Sequence, residues 1–159
     1  MTLKQFFKKR DGLWVSSTVQ EMAQKAKKVK VPDHQTYDLP MEMTDREIVE
    51  KTGEFTESEA LGLIQSLIER DTDGEDGVLL KNGYANLFYV KGGPVVFVLW
   101  HAGYRLWSVN DWLRGAYRWP RGHRAFRNCN FKPLSSSDTL ILERLESLEK
   151  WARGIGFTN

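Results

Sequence analysis

The segment from Tyr84 to Cys129 constrains the fold most, because it contains runs of aromatic and β-branched residues separated by turn residues. Such runs are typical of strands, and the Gly and Pro residues between them are typical of tight turns. The runs lie at 84–90, 94–101, 104–109 and 123–129. The simplest assembly is an antiparallel meander of about four strands within roughly 84–129.

Four other segments carry apolar residues at the spacing of one helical face. Two of them begin with Thr-x-x-Glu, at Thr44 and at Thr56, which is the pattern of a helix capping box. The predicted helices cover roughly 17–28, 44–52, 56–70 and 137–153. Amphipathic helices beside an antiparallel sheet predict an α+β fold, with the helices packed on one face of the sheet.

The segments between these elements are predicted to be mostly irregular. Residues 31–43 show no clear periodicity and contain two prolines, so this stretch is interpreted as a loop. Residues 13–16 are expected to be extended. Asn110 is expected to cap a single helical turn that ends at Gly115.

The length of 159 residues is that of one domain, so residues 1–159 are expected to form a single domain, with 1–40 as a loosely packed N-terminal arm. The basic opening, 1–12, lacks the apolar core of a signal peptide, and the longest apolar run, 94–100, is too short to span a bilayer. We therefore expect a cytoplasmic protein with no membrane partner.

Charge is distributed in blocks of opposite sign. Residues 1–30 carry a net charge of +6, residues 38–78 a net charge of −10, and residues 79–134 a net charge of +8. One interpretation is that the acidic middle packs beside the basic segments, so that their fields partly cancel. The other is that the basic block forms a site for a polyanion on the side of the molecule away from the acidic helices.

The basic block at 104–132 is the strongest candidate site, because arginines there alternate with aromatic residues. Guanidinium groups pair with phosphates, and aromatic rings stack on unpaired bases for about 1–3 kcal/mol each. The predicted polyanion-binding residues are Arg105, Trp107, Arg114, Arg118, Arg121, Arg124 and Arg127. The expected partner is single-stranded nucleic acid or an acidic protein surface. In the competing interpretation the rings are core and the arginine stems lie over them.

Two other functions stay open at this point, although a non-enzymatic binding protein is the favoured interpretation. A homo-oligomer would pair the acidic segment 38–78 of one copy with the basic block of another. A small hydrolase would use His101, His123 and Cys129 as its reactive groups.

Neither a metal nor a cofactor is expected. The acidic stretch that starts at Glu69 resembles the beginning of a calcium-binding loop, but Leu80 stands where that loop needs a bidentate glutamate. The soft ligands show no zinc-site spacing; they are His34, His101, His123 and Cys129. No phosphate loop or dinucleotide fingerprint occurs in the sequence.

Overall fold

A computed structural model of the chain describes residues 12–71, 77–115 and 117–131. Within these ranges the chain forms three α-helices and eight β-strands, which confirms the mixed α+β class. The helices are α1 (Ser17–Lys25), α2 (Asp45–Thr52) and α3 (Glu57–Arg70). The strands are β1 (Leu13–Val15), β2 (His34–Asp38), β3 (Met43–Thr44), β4 (Asn86–Tyr89), β5 (Val95–His101), β6 (Leu106–Trp112), β7 (Arg118–Trp119) and β8 (Arg124–Asn128).

The described helices begin where the sequence predicted them. Thr44 and Glu47 form a reciprocal capping box at the start of α2, and Thr56 and Glu59 form another at the start of α3. Helix α1 ends at Lys25, three residues earlier than predicted. None of the described helices has the length and apolar character needed to cross a membrane. The fourth predicted helix, 137–153, lies outside the described residues.

The predicted four-stranded antiparallel meander is wrong. The described strands form a six-stranded mixed sheet in the order β1-β6-β5-β4-β8-β2, together with a two-stranded ribbon of β3 and β7. Strand β8 does not return to β6 as a meander requires; it pairs in parallel with β4. The edge of β6 is instead occupied by β1, also in parallel. The backbone of β6 therefore forms its hydrogen bonds on this edge with β1, whereas a meander would have paired it with β8.

Two stretches predicted to be irregular are strands. The interpretation of 31–43 as a loop is wrong over β2, whose backbone pairs along its whole length with β8. The helical turn predicted after Asn110 is also wrong, because β6 continues to Trp112, which pairs with Val95 of β5. Gly115 lies in the turn that follows, with a φ of 81° that favours glycine.

Residues 13–38 contribute two strands and a helix to the fold. Within the described residues up to 40, β1 and β2 supply the two edge strands of the sheet. Helix α1 between them buries Val19, Met22 and Ala23. These buried side chains join the same apolar cluster as α3, so this segment contributes directly to the core.

Helices cover both faces of the sheet, so the prediction that they lie on one face is wrong. On the first face, α1 and α3 pack over alternate residues of β5, β6 and β8, including Val98, Trp107 and Phe126. On the second face, α2 and the β3–β7 ribbon pack over β4 and β8, around Leu87 and Ala125. Within the described ranges, the apolar cluster of this second face extends from β8 to β5 and includes no residue of β6 or β1.

Candidate functional site

Among the described residues, none of the helices packs over the second sheet face at the three neighbouring strands β1, β6 and β5. The side chains that point to this side, which we call the open face, are Trp14, Phe97, Leu99, His101, Leu106, Ser108, Asn110 and Trp112. Trp14 is 51% exposed and Trp112 is 43% exposed. Large exposed rings on a shared surface are typical of a binding site rather than of a solvated face.

A continuous series of aromatic contacts borders the open face on the side of the β3–β7 ribbon. The ring of Trp112 lies 6.2 Å from that of Phe97 and 6.0 Å from that of Tyr117. Tyr117 in turn contacts Trp119 at 5.0 Å, and Trp119 contacts His123 at 5.4 Å. Most of these pairs meet edge to face, a favoured geometry for aromatic rings, so each ring limits the movement of the next.

The floor of the open face carries a polar cluster at its centre. Ser108 is directly opposite Leu99 on β5 and Trp14 on β1. The Ser108 hydroxyl oxygen lies 2.8 Å from Nε2 of His101. It also accepts a hydrogen bond of 2.9 Å from the side-chain amide nitrogen (Nδ2) of Asn110. The open face therefore combines flat rings with hydrogen-bonding groups, the two elements needed to hold a planar polar ligand.

A buried carboxylate anchors the aromatic border. Asp45, the first residue of α2, accepts hydrogen bonds from the Tyr89 hydroxyl at 2.7 Å and the Trp119 indole at 2.9 Å on Oδ1, and from the Gly115 amide at 2.7 Å on Oδ2. Burial raises the pKa of Tyr89, so its phenol stays protonated and remains a donor to Asp45. This cluster ties the ribbon and the turn before it to the sheet.

Arg114 belongs to this anchor rather than to a free basic surface. Its guanidinium lies 5.2 Å from the centre of the Tyr89 ring and 2.7 Å from the Glu54 carboxylate. It also donates to the carbonyl of Val90. Because these partners use the charge and several donors of Arg114, we assign it a structural role.

Trp107, a predicted stacking residue, lies in the core. None of its surface is exposed, its ring packs against Trp100 at 5.0 Å, and its indole nitrogen donates to the carbonyl of Asp71 at 2.6 Å. It points to the first sheet face, under α1 and α3. The ring of Trp107 is therefore not accessible to a base in this fold, and the prediction that it stacks on a base is wrong.

The other predicted arginines are divided between two surfaces. Arg105 lies in the turn between β5 and β6, and exposed Arg118 and Arg121 lie beside the aromatic border. Arg124 and Arg127 lie away from the open face, on β8 next to the edge strand β2. The structure therefore does not bring the predicted set together into one patch.

Several of these arginines are paired with carboxylates of the acidic segment. Arg118 forms an ion pair of 3.4 Å with Glu42, and Arg124 one of 2.6 Å with Asp38. The hydrogen bond from Arg124 holds the pKa of the Asp38 carboxyl below its usual range. These contacts agree with the interpretation in which the acidic middle packs beside the basic segments.

The residues of the predicted hydrolase are not brought together. His101 ends β5, His123 lies before β8 and contacts Tyr84 and Trp119, and Cys129 follows β8. The described part of the chain holds no group of three or more His, Cys, Asp or Glu residues that could bind a metal ion. The central residues of the calcium-like stretch, 72–76, lie outside the described residues.

Acidification should destabilise the fold through His123. Burial lowers the pKa of His123 below 6.5, and its Nδ1 accepts the Ala85 amide at 2.8 Å. The unfolded chain therefore takes up a proton before the folded chain as the pH falls, so stability present above pH 6.5 is lost as the pH decreases towards the folded pKa. Urea unfolding between pH 7 and pH 5 measures this loss.

The matched control for His123 is a side chain that does not titrate. His123→Gln should be less stable at pH 7 but should depend less on pH between 7 and 5. The Asp38 ion pair does not interfere, because its contribution is lost only as the pH falls below 3.8. An equal pH dependence in both proteins would contradict this assignment.

Sequence reasoning missed Trp14, Ser108 and Asn110. An available signal was the alternation within β6, where Ser108, Asn110 and Trp112 share one face and Trp107 and Val109 the other. Trp14 is recognisable only through its pairing with Ser108, which is remote in sequence.

No protein-family model matches the chain, and no curated protein or solved structure matches it either.

Proposed function

We propose that this chain is a cytoplasmic binding protein that holds single-stranded nucleic acid on the open face. The observation that supports the proposal is the pair of exposed indole rings, Trp14 and Trp112, on the same side of a sheet whose floor is polar. Unpaired bases stack on such rings with little sequence preference. Asn110, which is only partly buried on the same face, supplies a side-chain amide that can meet the edge of a base.

Phosphate contacts come from the arginines that flank the open face. Arg118 and Arg121 follow the aromatic border, and Arg105 lies at the end of β5 and β6. The Arg118–Glu42 ion pair does not oppose this role, because both side chains are mostly exposed and such pairs contribute little to stability. A phosphate can therefore replace Glu42 as the partner of Arg118.

The remaining predicted arginines stabilise the fold through contacts with other residues of the chain. Arg114 is held by Glu54 and Val90, and Arg124 is held by Asp38 and by the carbonyl of Val78. Arg127 donates to Gln35 and to the carbonyl of Phe131. The proposed site therefore keeps part of the predicted arginine set and replaces Trp107 with Trp14 and Trp112.

Substitution of the exposed tryptophans should weaken binding of a fluorescein-labelled single-stranded oligonucleotide, measured by anisotropy at low salt. Trp14→Ala and Trp112→Ala should each raise Kd by about five- to a hundredfold, since each removes one stacked base. Trp112→Phe retains a ring and should recover most of the affinity. If the folded protein in excess gives no anisotropy change at low salt, the proposal is wrong.

The salt dependence of the same binding reaction separates the arginines. Three phosphate contacts predict that log K falls with log salt with a slope of roughly −2, and Arg118→Ala or Arg121→Ala should each reduce that slope by about 0.7. Arg127→Ala is the matched control, because its guanidinium is engaged next to β2 and should leave the slope unchanged. A change caused by Arg127→Ala equal to those of the other two variants would contradict the proposed position of the site.

The homo-oligomer stays a prediction. The ion pairs that join segment 38–78 to the basic block form within one chain, which reduces the charge available for pairing between copies. Sedimentation at several salt concentrations, without nucleic acid, tests it. Self-association that weakens with added salt would favour it.

A further inference from the structure

The Ser108 hydroxyl has the surroundings of an activated nucleophile. Its oxygen lies 2.8 Å from Nε2 of His101, which is hydrogen-bonding distance for transfer of a proton to a base. The two residues lie on adjacent strands, β6 and β5, in the most extensively paired part of the sheet. Strand positions hold such a pair more firmly than loop positions do.

Ser108 can donate its hydroxyl hydrogen to His101 while it accepts from Asn110. The side-chain amide nitrogen of Asn110 donates at 2.9 Å and uses one of the two acceptor positions of the Ser108 oxygen. The hydroxyl hydrogen stays available for Nε2 of His101, which lies 2.8 Å away. In the tautomer that carries its proton on Nδ1, Nε2 accepts this hydrogen and serves as the base.

We propose that Ser108 is a catalytic nucleophile towards activated esters, with His101 as the general base. The Ser108 oxygen attacks the ester carbonyl carbon, and its proton moves to Nε2 of His101. The tetrahedral intermediate then breaks the ester C–O bond, and the leaving alkoxide takes the proton from Nε2. Water attacks the acyl-Ser108 by the same route, so an ester and water give an acid and an alcohol.

The side-chain amide of Asn110 is the assigned donor to the oxyanion. It carries two N–H groups, and one of them bonds the Ser108 oxygen. In the proposed reaction the second N–H donates to the oxyanion that forms on the carbonyl oxygen. Donors of this kind contribute about 100- to 1000-fold to the rate in acyl transfer.

The rings around Ser108 define the class of ester. Ser108 is only 4% exposed, and Trp14 is directly opposite it on the edge strand β1. The proposal therefore assigns Ser108 an ester with a small or flat acyl group, because a bulky one could not reach a side chain that is nearly buried. This inference does not depend on nucleic-acid binding, since it rests on the cluster of His101, Ser108 and Asn110 rather than on phosphate contacts.

Covalent labelling tests the proposal directly. The full chain is incubated with an alkyl fluorophosphonate, which forms a stable bond to an activated serine oxygen, and the adduct is located by peptide mass mapping. We expect one adduct, on Ser108, that is lost in Ser108→Ala and in urea-unfolded wild-type protein. Ser17→Ala is the matched control at an exposed serine and should be labelled like the wild type.

Two further variants distinguish activation from simple exposure. His101→Gln should slow labelling, and hydrolysis of p-nitrophenyl acetate, by about 100-fold or more, because it removes the base. Trp14→Ala should accelerate labelling by opening the approach, although the same change should weaken binding of an oligonucleotide. Because Trp14→Ala should raise the labelling rate and lower the affinity for the oligonucleotide, the two measurements test the catalytic proposal and the nucleic-acid proposal separately. Absence of a Ser108 adduct in the folded wild type, or an adduct rate unaffected by His101→Gln, overturns the inference.

Discussion

Asp45→Ala should lower the free energy of unfolding by about 3–5 kcal/mol, measured by urea denaturation at pH 7. Asp45 is buried and accepts hydrogen bonds from Tyr89, Gly115 and Trp119. The substitution leaves the buried donors of Tyr89 and Trp119 without their acceptor, and each unsatisfied buried donor costs about 1–3 kcal/mol. It also removes the bond that holds the Gly115 amide. The ribbon that borders the open face should loosen as a result.

The conservative change Asp45→Asn should cost less than Asp45→Ala but more than a surface substitution. An amide keeps one oxygen, which can still accept from Tyr89 and Trp119, but its nitrogen then faces the N–H of Gly115. Glu42→Ala is the control at an exposed carboxylate, and its effect should stay within about 1 kcal/mol. A similar cost for Glu42→Ala and Asp45→Ala would show that burial of Asp45 does not determine the loss.

Trp107→Ala should be the most damaging tryptophan substitution, with a loss of about 3–5 kcal/mol of unfolding free energy. Trp107 is fully buried between the sheet and the helices of the first face, and its indole nitrogen is bonded to the carbonyl of Asp71. The change leaves a large cavity and removes the indole donor of the Asp71 carbonyl. Thermal or urea unfolding measures the loss. Trp107→Phe should have a smaller effect, and it provides the measurement if the alanine variant does not fold.

Trp112→Ala is the comparison on the same strand. Trp112 is partly exposed and points to the opposite face, so its removal should cost below about 1 kcal/mol. In binding, the order reverses: Trp112→Ala should weaken oligonucleotide binding, whereas Trp107→Phe should leave it unchanged. Equal stability losses for Trp107→Ala and Trp112→Ala would contradict the assignment of the two faces of β6.

The helices could be predicted because their signals are local. The capping residue Thr56 and its partner Glu59 are three positions apart, and the apolar stripe of α3 repeats within one turn. The same holds for α2. Capping and helix amphipathicity depend only on residues a few positions apart, so their contribution to helix stability can be judged from the sequence alone.

The order of the sheet could not be predicted in this way. Residues 34–38 have no apolar alternation, and they become strand β2 only because β8 provides hydrogen-bonding partners about ninety residues away. The parallel pairs of β1 with β6 and of β4 with β8 similarly join segments that are far apart in the chain. Pairing between remote segments leaves little trace in the local pattern.

The sequence by itself determined the start of each described helix and the approximate position of the four central strands. Only the tertiary structure decided that α1 and α3 cover Trp107 while Trp14 and Trp112 stay partly exposed on the other face. It also decided which arginines meet a carboxylate. The physical reason is that burial and ion pairing depend on groups brought together from distant parts of the chain, whereas caps and alternation depend on immediate neighbours.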